Sequence, residues 1–435
     1  MTARTKPGVL VAIIAFLVVA FTAEMARAIP AFARKYETSC VTCHSAFPKL
    51  NSFGEAFRLS GYQYPEDDEE MTKDEPVSLG SDAYKRVFPN AVWPNDIPGK
   101  PPISLRVSSA FNYVDNATID TEFVAPSLNL MAAGTLGENI GFYAGAHLFE
   151  EGETGSIDRA FLQINNIFGS ALPDRSLNIR IGQFIPNMVP FANHRGISLT
   201  PYAYNTYSAL QEGFAGGHAH GGDGEAFGIE DFQLGLEASG FVGARWRWGA
   251  GIVNGNGPGG ESNSAKDGYG RLAFKFGGMG LDGSSAPAEE SGKNWRDDSV
   301  TLGVIGFLGS YPNGGLAGPT DLERNRYGFD LNILVRDLNL FGGYLHGSDE
   351  IMDNTTLSTA DYGIWFAEAN YVVFPWLVGL GRFEQADPEN AATIERVVTG
   401  FTALYRANVK FVLESAFDPD VEGFTDLQLK VDFAM

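Results

Sequence analysis

The sequence predicts a mainly β chain: an antiparallel outer-membrane barrel of about sixteen strands, preceded by a small helical unit. Three observations carry this. From about Ile103 onward, apolar and polar residues alternate with a period of two. The alternating segments are about ten residues long, the length a tilted strand needs to cross a bilayer. The last of them runs to the C-terminus with Phe433 near its end.

The alternation is clearest in four places. Ile103, Leu105, Val107, Phe111 and Tyr113 alternate with Ser104, Arg106, Ser108 and Asn112. Trp246, Trp248, Ala250 and Ile252 alternate with Arg245, Arg247 and Gly249. Tyr327, Phe329, Leu331, Ile333 and Val335 alternate with Gly328, Asp330, Asn332 and Arg336. Leu427, Leu429, Val431 and Phe433 alternate with Gln428, Lys430 and Asp432. One face is apolar and aromatic; the other carries full charges. Tyr362, Trp365, Tyr371, Phe374 and Trp376 cluster near strand ends, as in an interfacial girdle. Phe374-Pro375-Trp376 reads as a short turn, whereas 186–225, 254–267 and 280–298 are rich in Gly, Ser, Asn and Pro and read as loops. His218 and His220 lie in a Gly-rich tip of one loop. Two imidazoles alone make a weak metal site, so a flexible tip is the plainer reading.

Residues 1–28 read as an export signal. Arg4 and Lys6 are its basic start, Val9 to Ala23 its apolar run, and Ala26-Arg27-Ala28 its cleavage site, so the mature chain begins at Ile29. No later segment holds eighteen consecutive apolar residues, which excludes a helical span there. A net charge of −22 argues against binding nucleic acid through its phosphates. It suits a cation or a basic partner.

The chain has only two cysteines, in Cys40-Val41-Thr42-Cys43-His44. This C-x-x-C-H spacing lets two thiols reach the two vinyl groups on one haem edge, and places the next imidazole under the iron. A thioredoxin-like dithiol would need a βαβ context, and a zinc site would need further ligands. The motif therefore implies one covalent haem c, held by Cys40 and Cys43 with His44 as proximal ligand. After it, Pro48 suits the first turn of a helix, and Leu50, Phe53 and Phe57 share one face able to cover the haem. Gly61-Tyr62 ends that helix. Met71 is a candidate sixth ligand, although its acidic surroundings (residues 66–75) suit a solvated loop. His147, His194, His218 and His220 are alternatives, as is water or an open position. The haem unit spans 29–92, a Pro-rich connector 93–102, and the barrel 103–435.

The segment from Ile29 to Tyr64, with Ile-Pro-Ala-Phe-Ala-Arg at its start, Cys40 to His44 within it, and Phe53-Gly54 and Gly61-Tyr62 after, resembles the fused monohaem cytochrome–porins of iron-oxidising bacteria. The order of haem unit, connector and barrel fits that family across the mature chain. The resemblance implies an outer-membrane barrel capped or plugged by a haem unit, and electrons taken from extracellular Fe(II). The same family pattern puts Cys40, Cys43 and His44 at the haem. Where the iron-oxidising pattern has Gln-Thr after Phe-Ala-Arg, this chain has Lys35-Tyr36. The resemblance therefore bears on architecture more than on substrate. The expected function is an electron conduit through one haem, between an extracellular donor such as Fe(II) and a periplasmic cytochrome. One alternative is a solute porin whose haem unit anchors or regulates; a weaker one is a soluble periplasmic cytochrome with a β-sandwich.

Overall fold

The structure, a computed structural model, describes residues 31–65, 68–80, 82–114, 120–150, 152–208, 213–214, 228–255, 257, 263–285, 293–313, 319–353, 356–419 and 426–435. The export signal and the Gly-rich tip with His218 and His220 lie outside the described residues.

Sixteen long strands form one closed antiparallel barrel. They are β1 (Ile103–Val114), β2 (Thr121–Leu136), β3 (Ile140–Glu150), β4 (Ile157–Ile164), β5 (Asn178–Phe184), β6 (Gln233–Val242), β7 (Trp246–Val253) and β8 (Asp267–Gly277). The circuit continues with β9 (Ser299–Pro312), β10 (Asp321–Val335), β11 (Leu338–Asp353), β12 (Thr356–Phe374), β13 (Leu377–Pro388), β14 (Ile394–Arg406), β15 (Val409–Phe417) and β16 (Asp426–Ala434). Each strand pairs with its sequence neighbours, and β16 closes on β1 from Asp426↔Val114 to Ala434↔Arg106. Phe433 thus pairs with Val107 at the seam. Closure leaves no unpaired edge, the condition for crossing lipid with strands. Among the described residues no helix is long and apolar enough to cross a membrane.

The alternation is inverted relative to a water-soluble protein. Trp246, Ile252, Leu302, Val304, Tyr327 and Phe329 are exposed on the outer wall. Arg247, Arg271, Asp330, Glu368, Arg382 and Asp432 are buried on the inner one. These inner charges, Arg247 apart, are paired across strands. Arg271 on β8 donates to Asp330 on β10 (2.8 Å) over Gly303 on β9, where any side chain would occupy the place of the ion pair. Arg326 on β10 meets Asp349 on β11 at 2.6 Å. Tyr362 belongs to this inner set: it is buried, and its hydroxyl donates to Asp349 at 3.2 Å. It is therefore not part of an outer girdle, whereas Trp365, Tyr371 and Phe374 are exposed. Two residues of one strand an odd number apart face opposite sides, so Tyr362 and Trp365 cannot share one.

Five connections at one end are turns of two or three residues: 137–139, 243–245, 336–337, 375–376 and 407–408. The longest connection, 185–232, is at the other end. Short turns mark the periplasmic rim of such barrels and longer loops the outer rim.

The lumen is filled from both ends. From the short-turn end enters a segment containing α1 (Ala31–Lys35), a single 3₁₀ turn (Cys40–Thr42), a small hairpin (His44–Ala46 paired with Lys49–Leu50) and α2 (Ser52–Leu59). Pro48 sits in the hairpin's reverse turn and not in a helix. Residues 49–50 pair back on 44–46, so the helix starts only after Asn51, whose side chain accepts from the Gly54 N–H at 2.9 Å. Gly61 and Tyr62, both at positive φ, end it. Tyr62 then stacks on Tyr143 of β3, and Gln163 and Asn165 donate to the Leu59 and Ser60 carbonyls. From the opposite end, residues 185–208 of the 185–232 connection fold inward and pack Phe191, Tyr202 and Tyr204 against Phe341 and Phe366.

Gly141 on β3 marks a close approach of wall and inserted segment, since a Cβ there would overlap the Gly61 carbonyl. We expect Gly141→Leu to push the Gly61 turn out of its seat. Protease cutting between residues 31 and 65 should rise, while the folded, heat-modifiable gel band persists. Unchanged protease resistance would show that the wall yields instead.

Candidate functional site

The C-x-x-C-H motif lies where the inserted segment meets the short-turn rim. Cys40 and Cys43 flank the 3₁₀ turn, whose Cys43 N–H donates to the Cys40 carbonyl at 3.2 Å. Cys40 is buried, Cys43 partly so, and Val41 between them is exposed. Asn294, in the connection between β8 and β9, donates to the Val41 and His44 carbonyls and ties the turn to the barrel rim. Burial pushes the Cys40 thiol up to about 11, and burial with Cys40 nearby pushes Cys43 up to about 12. Both are neutral thiols at neutral pH, unlike the thiolates of a reactive dithiol.

His44 Nδ1 lies 3.1 Å from the Pro48 carbonyl. An Nδ1–H donated there leaves the lone pair on Nε2, the nitrogen a metal takes when a backbone carbonyl orients the ring. Burial holds the imidazole at about 4, with the Pro48 and Lys49 backbone opposing. Two thiols separated by one turn, followed by an oriented imidazole, form a donor set that fits thioether attachment and axial ligation of a haem. Phe57 and Phe53 are on α2 as expected, but their ring partners are Phe32, Tyr36 and Tyr64.

Met71 ends a short helix (Asp68–Met71) held from Asp68. The Asp68 carboxylate takes Lys35 Nζ at 2.9 Å and the Tyr36 hydroxyl at 2.5 Å, and Lys35 also reaches Thr135 on β2 at 3.0 Å. Lys35-Tyr36 therefore anchors the Met71 helix to α1 and to the barrel wall. Burial, strengthened by Asp68, raises the Tyr36 phenol far above its ordinary range. Of the candidate distal histidines, His147 on β3 pairs with Glu150 (3.2 Å). His194 lies in the long connection beside Glu230 (3.4 Å). The contacts of His44 itself run to Pro48, Asn294 and Phe47.

What the sequence reading missed is a cavity of about 180 Å³ that begins at Ser45 and Ala46, next to His44. It is bounded by the hairpin and α2 on one side, the long connection on another, and the inner wall. Lys49, Arg58, Arg195, Arg247, Arg271 and Lys275 line it. The charges on alternate strand positions were legible one by one, but nothing in the sequence showed that they converge.

The comparisons bear on fold. No family model matches the chain, and no curated protein sequence matches it. Among solved structures it is similar to an anion-selective porin from Comamonas acidovorans, with a TM-score of 0.53 at 10% identity, covering 77% of this chain and 99% of that one. It is also similar to Salmonella typhi OmpF, solved in complex with daunomycin, with a TM-score of 0.51 at 11% identity, covering 78% of this chain and 97% of that one. The closed circuit, the apolar outer wall and this likeness make the chain a porin-like β-barrel of the Gram-negative outer membrane.

Proposed function

We propose that this barrel is an outer-membrane electron conduit carrying one haem c. Cys40 and Cys43 would hold it through thioethers and His44 through the iron, with Met71 as the candidate sixth ligand. The observation that carries the reading is the position of the motif. It sits inside the rim of a closed barrel whose lumen is filled, not in a free domain. When bound, the haem supplies a one-electron couple. The protein's share is positioning. Asn294 and Pro48 hold the motif at the periplasmic rim, where the exposed Val41 turn is open to a soluble cytochrome. The donor belongs to the outer side, and the resemblance to cytochrome–porins makes Fe(II) the first to try.

Two measurements test this. Cys40→Ala with Cys43→Ala should abolish the covalent haem stain, since the chain has only these two thiols. In intact cells, a membrane-impermeant reductant or Fe(II) should reduce the haem of the unaltered protein. A stain that survives in the double variant removes the attachment. A loaded haem that no external donor reduces removes the conduit.

A solute channel is the second reading, supported by the porin-like fold and the cationic cavity. Planar-bilayer conductance separates the two. A conduit with its inserted segment in place should pass little ion current, and a porin-sized current from the intact protein would favour the channel.

A further inference from the structure

We infer that the lumen cavity is a binding site for a group carrying two carboxylates. Six buried or half-buried cations line it: Lys49, Arg58, Arg195, Arg247, Arg271 and Lys275. Three acids answer them. Asp330 takes Arg271 at 2.8 Å and Asp297 takes Lys275 at 2.6 Å. Glu55 is shared between Arg58 at 2.8 Å and Arg195 at 3.7 Å. Six less three leaves an excess of about three positive charges around one cavity. Of the other charged lining residues, Asp337 is held by Arg296 at 2.6 Å, and the Arg336 backbone N–H donates to Asp298.

Arg247 is the decisive residue. It is 7% exposed and, among the described residues, forms no hydrogen bond and no ion pair. The carboxylate that acts on it most strongly, Glu237, is already taken by Tyr269 (2.7 Å), the Asn187 N–H (3.0 Å) and Arg180 (3.4 Å). Lys49 donates to the amide oxygens of Asn339 and Asn370 and lies over the Phe341 ring, 4.4 Å from its centroid, with no carboxylate hydrogen-bonded to it among the described residues. A buried guanidinium without an acceptor is costly, and an anion in the cavity removes that cost. Lys49 rises from the hairpin, Arg195 comes from the long connection, and Arg247 projects from β7. Three walls thus present charge, which suits a ligand with two separated anionic ends and gives the guanidinium forks planar carboxylates to grip.

Carboxylates can come from two sources. One is the pair of propionates on a haem held at Cys40 and Cys43, since the cavity starts one residue after His44; this source rests on the function proposed above. The other is a free dicarboxylate entering the lumen.

The test uses full-length protein in detergent, haem-loaded and as the Cys40→Ala/Cys43→Ala form. Each is titrated calorimetrically with succinate, and the haem potential is measured with and without Arg247→Gln. If propionates fill the site, succinate binds only the haem-free form, and Arg247→Gln lowers the potential of the loaded form, because a lost positive charge favours oxidised haem. If a free diacid fills it, succinate binds both forms. In either case Arg247→Gln weakens succinate binding by about tenfold or more, the effect of one charge-assisted hydrogen bond. Lys49→Gln is the second variant, and heat-modifiable migration confirms that each is folded. No succinate binding to either form, with an unchanged potential in Arg247→Gln, overturns the site and leaves a cavity that holds water only. A protein without covalent haem whose succinate binding still depends on Arg247 would sink the conduit and keep the site.

Discussion

Deleting residues 29–95 behind the export signal should convert a filled barrel into a conducting one. The strands that close the circuit all lie between Ile103 and Ala434, and β16 reaches β1 without help from the deleted segment. What the segment supplies is lumen filling: Tyr62 on Tyr143, Lys49 among Asn339 and Asn370, and the Leu59 and Ser60 carbonyls on Gln163 and Asn165. Those wall groups are polar or charged, so water can take the vacated half-lumen at little cost, as in open barrels of this strand number. The truncated protein should still assemble in the outer membrane and run as a folded band. Its planar-bilayer conductance should exceed that of the intact chain by about tenfold or more, because ions need only a hydrated path. Failure to assemble despite normal synthesis and export would mean that the inserted segment is part of the barrel's core. Equal conductance would mean that the 185–232 connection alone closes the lumen.

Arg382→Met should release that connection. Arg382 on β13 is fully buried and ion-paired to Glu368 on β12 at 3.3 Å and to Glu384 at 3.2 Å. Its other end donates to the Thr200 carbonyl at 2.7 Å and to the Pro201 carbonyl at 3.3 Å, and its face lies over the Tyr202 ring. One guanidinium thus joins two wall carboxylates to the tip of the connection. Methionine keeps the bulk and removes every donor. Glu384 retains Arg396 at 2.6 Å, but Glu368 loses its guanidinium and keeps the neutral Asn370 amide and Tyr202 hydroxyl. Removing one partner of a buried ion pair costs about 3–5 kcal/mol, unless water enters and hydrates the orphan. Both outcomes are visible. The temperature at which the folded gel band converts should drop, or protease should begin to cut within 185–232. Arg382→Lys keeps the charge without the planar fork and should fall between. An unaltered transition and protease pattern in Arg382→Met would show that the other anchors suffice: Ala203 on Glu384 at 2.8 Å and Leu199 on Glu414 at 2.9 Å.

The strand count, the lipid-facing residues and the C-x-x-C-H motif were legible because each rests on neighbours in sequence. A period of two over ten residues is local. So is the spacing of two cysteines and a histidine. The short turn at Pro375-Trp376 and the loop character of 186–225 were equally plain from composition, but the inward course of that loop was not. Pro48 was misread because its competing partners, Lys49 and Leu50, pair backwards into a hairpin and delay the helix to Asn51. Tyr362 was placed on the wrong wall because proximity to strand ends was weighed above its parity with Trp365.

By itself, then, the sequence determined a closed, outer-membrane barrel and a pair of cysteines with a histidine poised beside them. Only the tertiary structure decided that this motif lies inside the barrel rim, and that six cations converge on one cavity beside it. The reason is separation. Asn294 meets His44 across 250 positions, Lys49 meets Asn339 across 290, and Arg382 meets Thr200 across 182. A local pattern says which side of a strand a charge takes. Closure of the circuit alone says which other charges it faces.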